Sequence, residues 1–270
     1  MSGENTGLID EINESNRQAQ LLWEDVAQHC SKGEIVRHPG VTAAWCYAQW
    51  PLVNATIITS PTDDDQELER RIQTAIEHGR QRDKPWLLIC CKEWMTRGGD
   101  AMTDEIMARH GLHQAMAMTG MVTEELLPPT RTAAELDLRP VNNPETRCMV
   151  ADINATAYEV PLEWGREVFS EAGVWHSGWF GCVLYADGKG VATSVTMILD
   201  GIRYVGLVAT LPEFRHRGYA EAAMRCSLEM AYKATGIKRT VLHATAMGKP
   251  SYERMGYRSV ATFNMYMLSH

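Results

Sequence analysis

Apolar and polar residues alternate along this chain with two different periods, and each change of period marks the start or end of an element. The pattern is clearer in the second half. Leu136 to Val141 predicts a short strand, and Glu145 to Tyr158 and Leu162 to Glu171 predict two helices. Trp179 to Tyr185 and Val191 to Leu199 predict a hairpin around Asp187-Gly188, a pair that tolerates positive φ. Ile202 to Val208 predicts a third strand, reached through Asp200-Gly201. A long helix is expected from about Arg217 to Thr235, with Ala220, Met224, Ser227, Leu228, Ala231 and Ala234 on one face and Gly236 at its end. Thr240 to Ala244 predicts a buried strand, Pro250 opens a short helix, and Tyr257 to Tyr266 predicts the last strand.

The first half repeats this order in worn form. Ile57 and Ile58 lead to Pro61, then a helix from Asp65 to His78 capped by Gly79, then a strand from Trp86 to Cys90. A short helix ending in Ala108-Arg109-His110-Gly111-Leu112 and a strand through Met116 to Thr123 complete it. The proline-rich stretch Leu127-Pro128-Pro129-Thr130-Arg131-Thr132 reads as a connector. The matching order of elements predicts an α/β chain of two duplicated lobes, residues 1–127 and 136–270.

Composition narrows what such a chain can be. At 45% hydrophobic and 22% charged, its 270 residues are those of a globular protein long enough for two domains. No apolar run approaches the roughly 20 residues that span a bilayer, and the polar start from Met1 to Gln20 lacks the features of a secretory signal. The seven cysteines are odd in number and scattered, without the spacing of a zinc clip, and imply reduced thiols, no metal and a cytoplasmic location. A net charge of −8 argues against nucleic-acid binding, which needs an excess of Lys and Arg.

The segment from Val208 to Ala220 is the most informative. It passes from an apolar strand through a turn at Pro212 into a helix whose start holds Gly218 and Ala220. Free amides and the dipole at a helix start attract an anion, and small residues let it approach the backbone. Arg215 and Arg217 place cations at the end of the helix where cations are unfavourable, a placement that an anionic ligand would offset. Arg215-x-x-Gly218-x-Ala220, between a strand and a helix, resembles the acetyl-CoA signature of the GNAT N-acetyltransferase superfamily. The resemblance covers about Leu136 to Tyr266. It implies two GNAT-like lobes, each a mixed, mostly antiparallel sheet flanked by helices. It further implies that Val208, Ala209 and Thr210 pair with the pantetheine arm, and that the amides of His216, Arg217, Gly218, Tyr219, Ala220 and Glu221 hold the pyrophosphate. The first lobe lacks these features. With Pro61 set against Pro212, Asp64 stands at Arg215, Glu67 at Gly218 and Glu69 at Ala220, while Asp63-Asp64-Asp65 suits a capped helix start. That lobe is expected not to bind CoA.

By the same resemblance, Tyr252 occupies the position of the general acid that protonates the departing thiolate. Many relatives carry an asparagine seven residues earlier, where this chain has Thr245. The strand before the turn, Arg203 to Leu207, offers no acidic base. His243 on the neighbouring strand is the candidate replacement, as an imidazole titrates near neutral pH; a core histidine, or an amine entering neutral, are the alternatives. Trp175, His176 and Trp179 lie where the family flanks its acceptor and form either an aromatic pocket for a small molecule or edge packing. Trp45, Tyr47 and Trp50 suggest packing alone, and Met116, Met118 and Met121 suggest core. The reading that follows is acetyl transfer from acetyl-CoA to the amine of a small molecule, by direct attack. The alternatives are a non-catalytic acyl-CoA sensor and a protein N-acetyltransferase. Neither the acceptor nor the oligomeric state is legible.

Overall fold

The computed structural model describes residues 2–62, 64–95, 99–129 and 136–269. Thr130 to Thr132 of the expected connector, and Asp63, lie outside the described residues. The chain divides into two compact units, one of Met1–Met121, Ala244–Lys249 and Ser259–His270, the other of Val122–His243 and Pro250–Arg258. Among the described residues no helix is long and apolar enough to cross a membrane.

The first unit opens with α1 (Ser2–His29), a helix that the polar N-terminus concealed. Ala19, Trp23, Val26 and Ala27 recur at helical spacing and are buried, and α1 packs on β2. The strands β1 (Glu34–His38) and β2 (Val41–Trp45), also unread in the sequence, form an antiparallel pair around Gly40 at φ 73°. Then come β3 (Asn54–Ile58), α2 (Asp65–Arg80), β4 (Leu87–Cys91), α3 (Gly99–Arg109) and β5 (Leu112–Thr123). Gly79 lies inside α2 rather than capping it. A Cβ there would stand 2.4 Å from the Trp86 ring, so close packing explains the glycine. Trp45 stacks on Trp86 with His78 edge-on, and burial pushes the His78 pKa down to about 4. Trp50 is buried as well, whereas half-buried Tyr47 meets Trp45 edge-on and its hydroxyl donates to Glu34 and accepts from Arg82, so it does more than pack. Met118 and Met121 are core, whereas Met116 is half-buried.

The last strand of the chain, β11 (Arg258–Leu268), corrects the expected halves. Phe263 to Tyr266 pair antiparallel with Cys91 to Leu88, and the sheet of this unit runs β1-β2-β3-β4-β11-β5. Residues 136–270 are therefore not one continuous lobe. The physical reason is burial: Tyr266 is 2% exposed inside the cluster built on Trp45, Ile72, Trp86 and Leu88.

The second unit holds β6 (Asp137–Pro140), α4 (Pro144–Ala157), α5 (Leu162–Phe169), β7 (Trp179–Ala186), β8 (Lys189–Leu199), β9 (Ile202–Thr210), α6 (Tyr219–Thr235), β10 (Thr240–Ala244) and α7 (Lys249–Arg254). Its sheet runs β10-β9-β8-β7-β6, parallel only between β10 and β9. Both units are thus mixed, mostly antiparallel sheets flanked by helices, since in the first β3 and β4 pair parallel while β1 with β2, β2 with β3 and β4 with β11 pair antiparallel. Side chains of β8 alternate between the faces: Thr193 meets Asn154 of α4, while Ser194 and Thr196 meet Ser227 of α6. The two helices consequently cover opposite faces. On α6 the buried stripe is Ala223, Met224, Ser227, Leu228 and Ala231, with Ala234 exposed and Ala220 only partly covered. Gly236 ends the helix at φ 72°, as expected.

Candidate acyl-donor site

Where β9 leaves its parallel neighbour, backbone groups become available. Thr240, Val241 and Leu242 of β10 pair with Arg203, Tyr204 and Val205, and the pairing stops there. β9 continues to Thr210 with its other edge still held by β8. Among the described residues of this unit, Gly206 to Thr210 make no strand pairing on the side away from β8, the arrangement an extended ligand needs for strand-like pairing. The Thr210 hydroxyl is buried with no partner among the described residues.

The strand carries an irregularity at the same place. Thr193 faces Ala209 and Val195 faces Gly206, so Ser194 alone opposes both Leu207 and Val208, which makes a β-bulge. Leu207 sits at φ 50°, a left-handed conformation that costs a side-chain-bearing residue roughly 1–2 kcal/mol. The neighbouring Gly206 has no positive φ, and a Cβ there would stand 2.9 Å from the Met197 methyl.

Past Pro212–Phe214 the chain turns into α6 through two left-handed residues, His216 at φ 63° and Gly218 at φ 81°. Gly218 is the N-cap, and no side chain caps this helix. Ala222 N is bonded to Gly218 O at 3.1 Å, so the amides of Tyr219, Ala220 and Glu221 precede the helical ladder. Glu221 does not fold back over them, because its carboxylate takes the Arg225 guanidinium at 2.8 Å. Arg215 Nε donates to Thr210 O at 3.3 Å, and Arg217 donates to Glu213 O and lies over the Phe214 ring. The two arginines therefore brace the turn while keeping positive charge beside it. Val208, Ala209, Thr210 and the segment His216 to Glu221 form one path, from an open strand edge to an uncapped helix start. Such a path fits a long ligand with an anionic end.

At the other named positions the structure gives a mixed answer. Tyr252 lies on α7, half-buried, with its ring 6.1 Å from that of Tyr257, and no described residue bonds its hydroxyl. Burial, helped by the phenols of Tyr158 and Tyr257, raises its pKa, so the phenol stays protonated at neutral pH. His243 Nδ1 lies 2.9 Å from the Tyr204 hydroxyl. Burial raises the Tyr204 pKa too, with the Tyr158 and Tyr252 phenols adding to the rise, so β9, β10, α7 and the residue that ends α4 bring their phenols and imidazole to one neighbourhood. Trp175 donates to Phe169 O at 2.7 Å and meets Trp179 edge-on, while His176 accepts from Gly178 N. These rings pack mainly on one another. The sequence reading missed the bulge, Tyr204 and the polar groups behind the bulge. Asn154, a polar residue among the apolar positions of α4, was the available signal.

Residues 145–257 match the acetyltransferase (GNAT) family, and this segment of the chain is a GNAT domain, an acyltransferase fold in which the path just described lies. Over nearly the whole chain, the fold is similar to a GCN5-related N-acetyltransferase from Kribbella flavida, with TM-score 0.70, 18% identity, and 95% of this chain and 96% of that chain covered. A functionally unknown conserved protein from Staphylococcus epidermidis gives 0.62 at 13% identity, covering 88% and 94%. A tandem GNAT protein from the clavulanic acid biosynthesis pathway gives 0.53 at 13% identity, covering 88% and 83%. At these identities the likeness is one of fold. No curated protein matches the chain.

Proposed function

We propose that this protein transfers an acetyl group from acetyl-CoA to the amine of a small molecule by direct attack. The observation that carries the reading is the uncapped start of α6 at the end of an open β9 edge. The amides of Gly218 to Glu221 would take the pyrophosphate, and the free edge of Val208 to Thr210 the pantetheine amides. An N–H of the same stretch would hold the oxyanion as the amine adds to the thioester carbonyl. Tyr252, protonated and bonded to no described residue, would give its proton to the sulfur as the carbon–sulfur bond breaks. His243 would take a proton from the amine, directly or through water, while Tyr204 orients its ring. The test is calorimetric titration of CoA, followed by thiol release from acetyl-CoA across a panel of small amines. Binding without turnover of any amine or peptide would point to a sensor. Turnover of peptides alone would move the acceptor to proteins.

A further inference from the structure

Behind the bulge lies a pair of buried side chains that the reaction as written does not use. We infer that Asn154 and Thr193 are positioning residues for the acyl-donor strand, holding the peptide between Leu207 and Val208 in its bulged orientation. The inference rests on the acetyl-transfer reading above. Asn154 is 1% exposed and Thr193 fully buried, on the α4 face of the sheet. The Asn154 amide donates to Val150 O at 2.9 Å, which fixes its rotamer, and to Thr193 Oγ1 at 3.1 Å. The Thr193 hydroxyl passes its own hydrogen to Leu207 O at 2.8 Å, and Asn154 Nδ2 stands 3.4 Å from the same oxygen. A relay of two side chains thus ends on one carbonyl. That carbonyl belongs to the left-handed residue of the bulge, whose conformation nothing local favours.

The direction of the carbonyl decides the direction of the next amide. In a trans peptide the C=O and N–H point opposite ways. With Leu207 O drawn toward Thr193 and Asn154, the Val208 N–H turns away from α4. The relay therefore aims the first amide of the stretch proposed to meet the thioester, and it does so without touching any substrate. Removing it should let the peptide rotate and blur the oxyanion contact. The uncapped helix start, some ten residues further along the chain, would be unaffected.

The experiment compares the full chain with Thr193→Val, which keeps the shape and removes the hydroxyl, and Thr193→Ser, which keeps the hydroxyl. The readouts are kcat and KM for acetyl-CoA with one accepted amine, the Kd of CoA without its acetyl group, and the melting temperature. The expected result is a kcat at least tenfold lower in Thr193→Val, a CoA Kd within about threefold of the parent, and kcat restored to within about threefold in Thr193→Ser. A structural role alone would lower the melting temperature and leave kcat of the folded protein unchanged, and that result overturns the assignment. If Thr193→Val does not fold, the comparison is made between Thr193→Ala, which also lacks the hydroxyl, and Thr193→Ser. Equal kcat with and without the hydroxyl there also overturns it. A parent protein that binds no CoA removes both the acetyl-transfer reading and this one, whereas a parent that turns over beside an equally active valine variant removes the relay alone.

Discussion

At Gly218 the backbone stands at φ 81°, and a Cβ built there meets nothing within 4 Å. Substitution therefore meets no packing clash; its consequences are conformational strain and blocked access. Gly218→Ala should lower stability by about 1 kcal/mol, the cost of a left-handed side-chain-bearing residue, and weaken CoA binding modestly. Gly218→Glu adds a carboxylate where three free amides begin, and calorimetry should find CoA affinity reduced at least tenfold in a protein that still melts cooperatively. Unchanged affinity in the glutamate variant would place the phosphates elsewhere. Tyr252 makes the complementary case. Its hydroxyl bonds no described residue, so Tyr252→Phe breaks no hydrogen bond among them and should leave the melting temperature nearly unchanged. General acid catalysis typically contributes a hundredfold to ten-thousandfold, and kcat should fall within that range while the Kd of acetyl-CoA holds. Full activity in the phenylalanine variant would leave protonation of the sulfur to water.

The helix starts of α2 and α6 show how much of the site could be read at the scale of elements. Both follow a strand and a proline turn, and both have amides ahead of the ladder. At α2 the Asp64 side chain caps Gln66 N at 2.7 Å, Glu67 is bound to Arg70 and Arg71, and Glu69 to Arg109. Arg71 also reaches back to Ser60 O, which closes the turn. The first unit thus caps its helix start with an acidic side chain, whereas α6 has no side-chain cap and its one first-turn acid, Glu221, is held by Arg225. Titration should accordingly give one CoA per chain, and a measured stoichiometry of two would defeat the comparison. This contrast was legible because capping is a local matter: Asp64, Glu67 and Gly218 declare it within four residues of each helix start. The bulge was not legible. From Tyr204 to Ala209 the residues are apolar or glycine, so one extra residue shifts the phase of the alternation without leaving a mark. The visible glycine, Gly206, is not even the residue with positive φ. Helix α1 was missed for a different reason, as its apolar contacts come late, from Ala19 onward, after a run of polar residues.

For the molecule as a whole, the element order of both halves followed from the pattern, while the partner of the last strand did not. Periodicity identifies β11 as a strand with alternately buried residues, but it names no neighbour, and the edge of either sheet would satisfy that pattern. Only the fold shows that Phe263, Met265 and Tyr266 are buried in the first unit, with Met265 facing Ile89 and Tyr266 facing Leu88. The first unit therefore requires the end of the chain for its core, even though nearly all the elements of the donor site belong to the second. Tyr266→Ala tests this division. Truncating a buried aromatic to alanine costs about 3–5 kcal/mol, and here the loss should fall on the cluster around Trp45, Ile72 and Leu88. Native-state hydrogen exchange is the measurement, since it reports stability element by element. Amides of β4 and α2 should exchange on the order of a hundredfold faster, with those of β8 and β9 close to their values in the parent protein. CoA affinity, which depends on the start of α6, should stay within a few-fold. The opposite pattern, with β9 loosened and β4 unchanged, would return the last strand to the second unit and restore two consecutive halves.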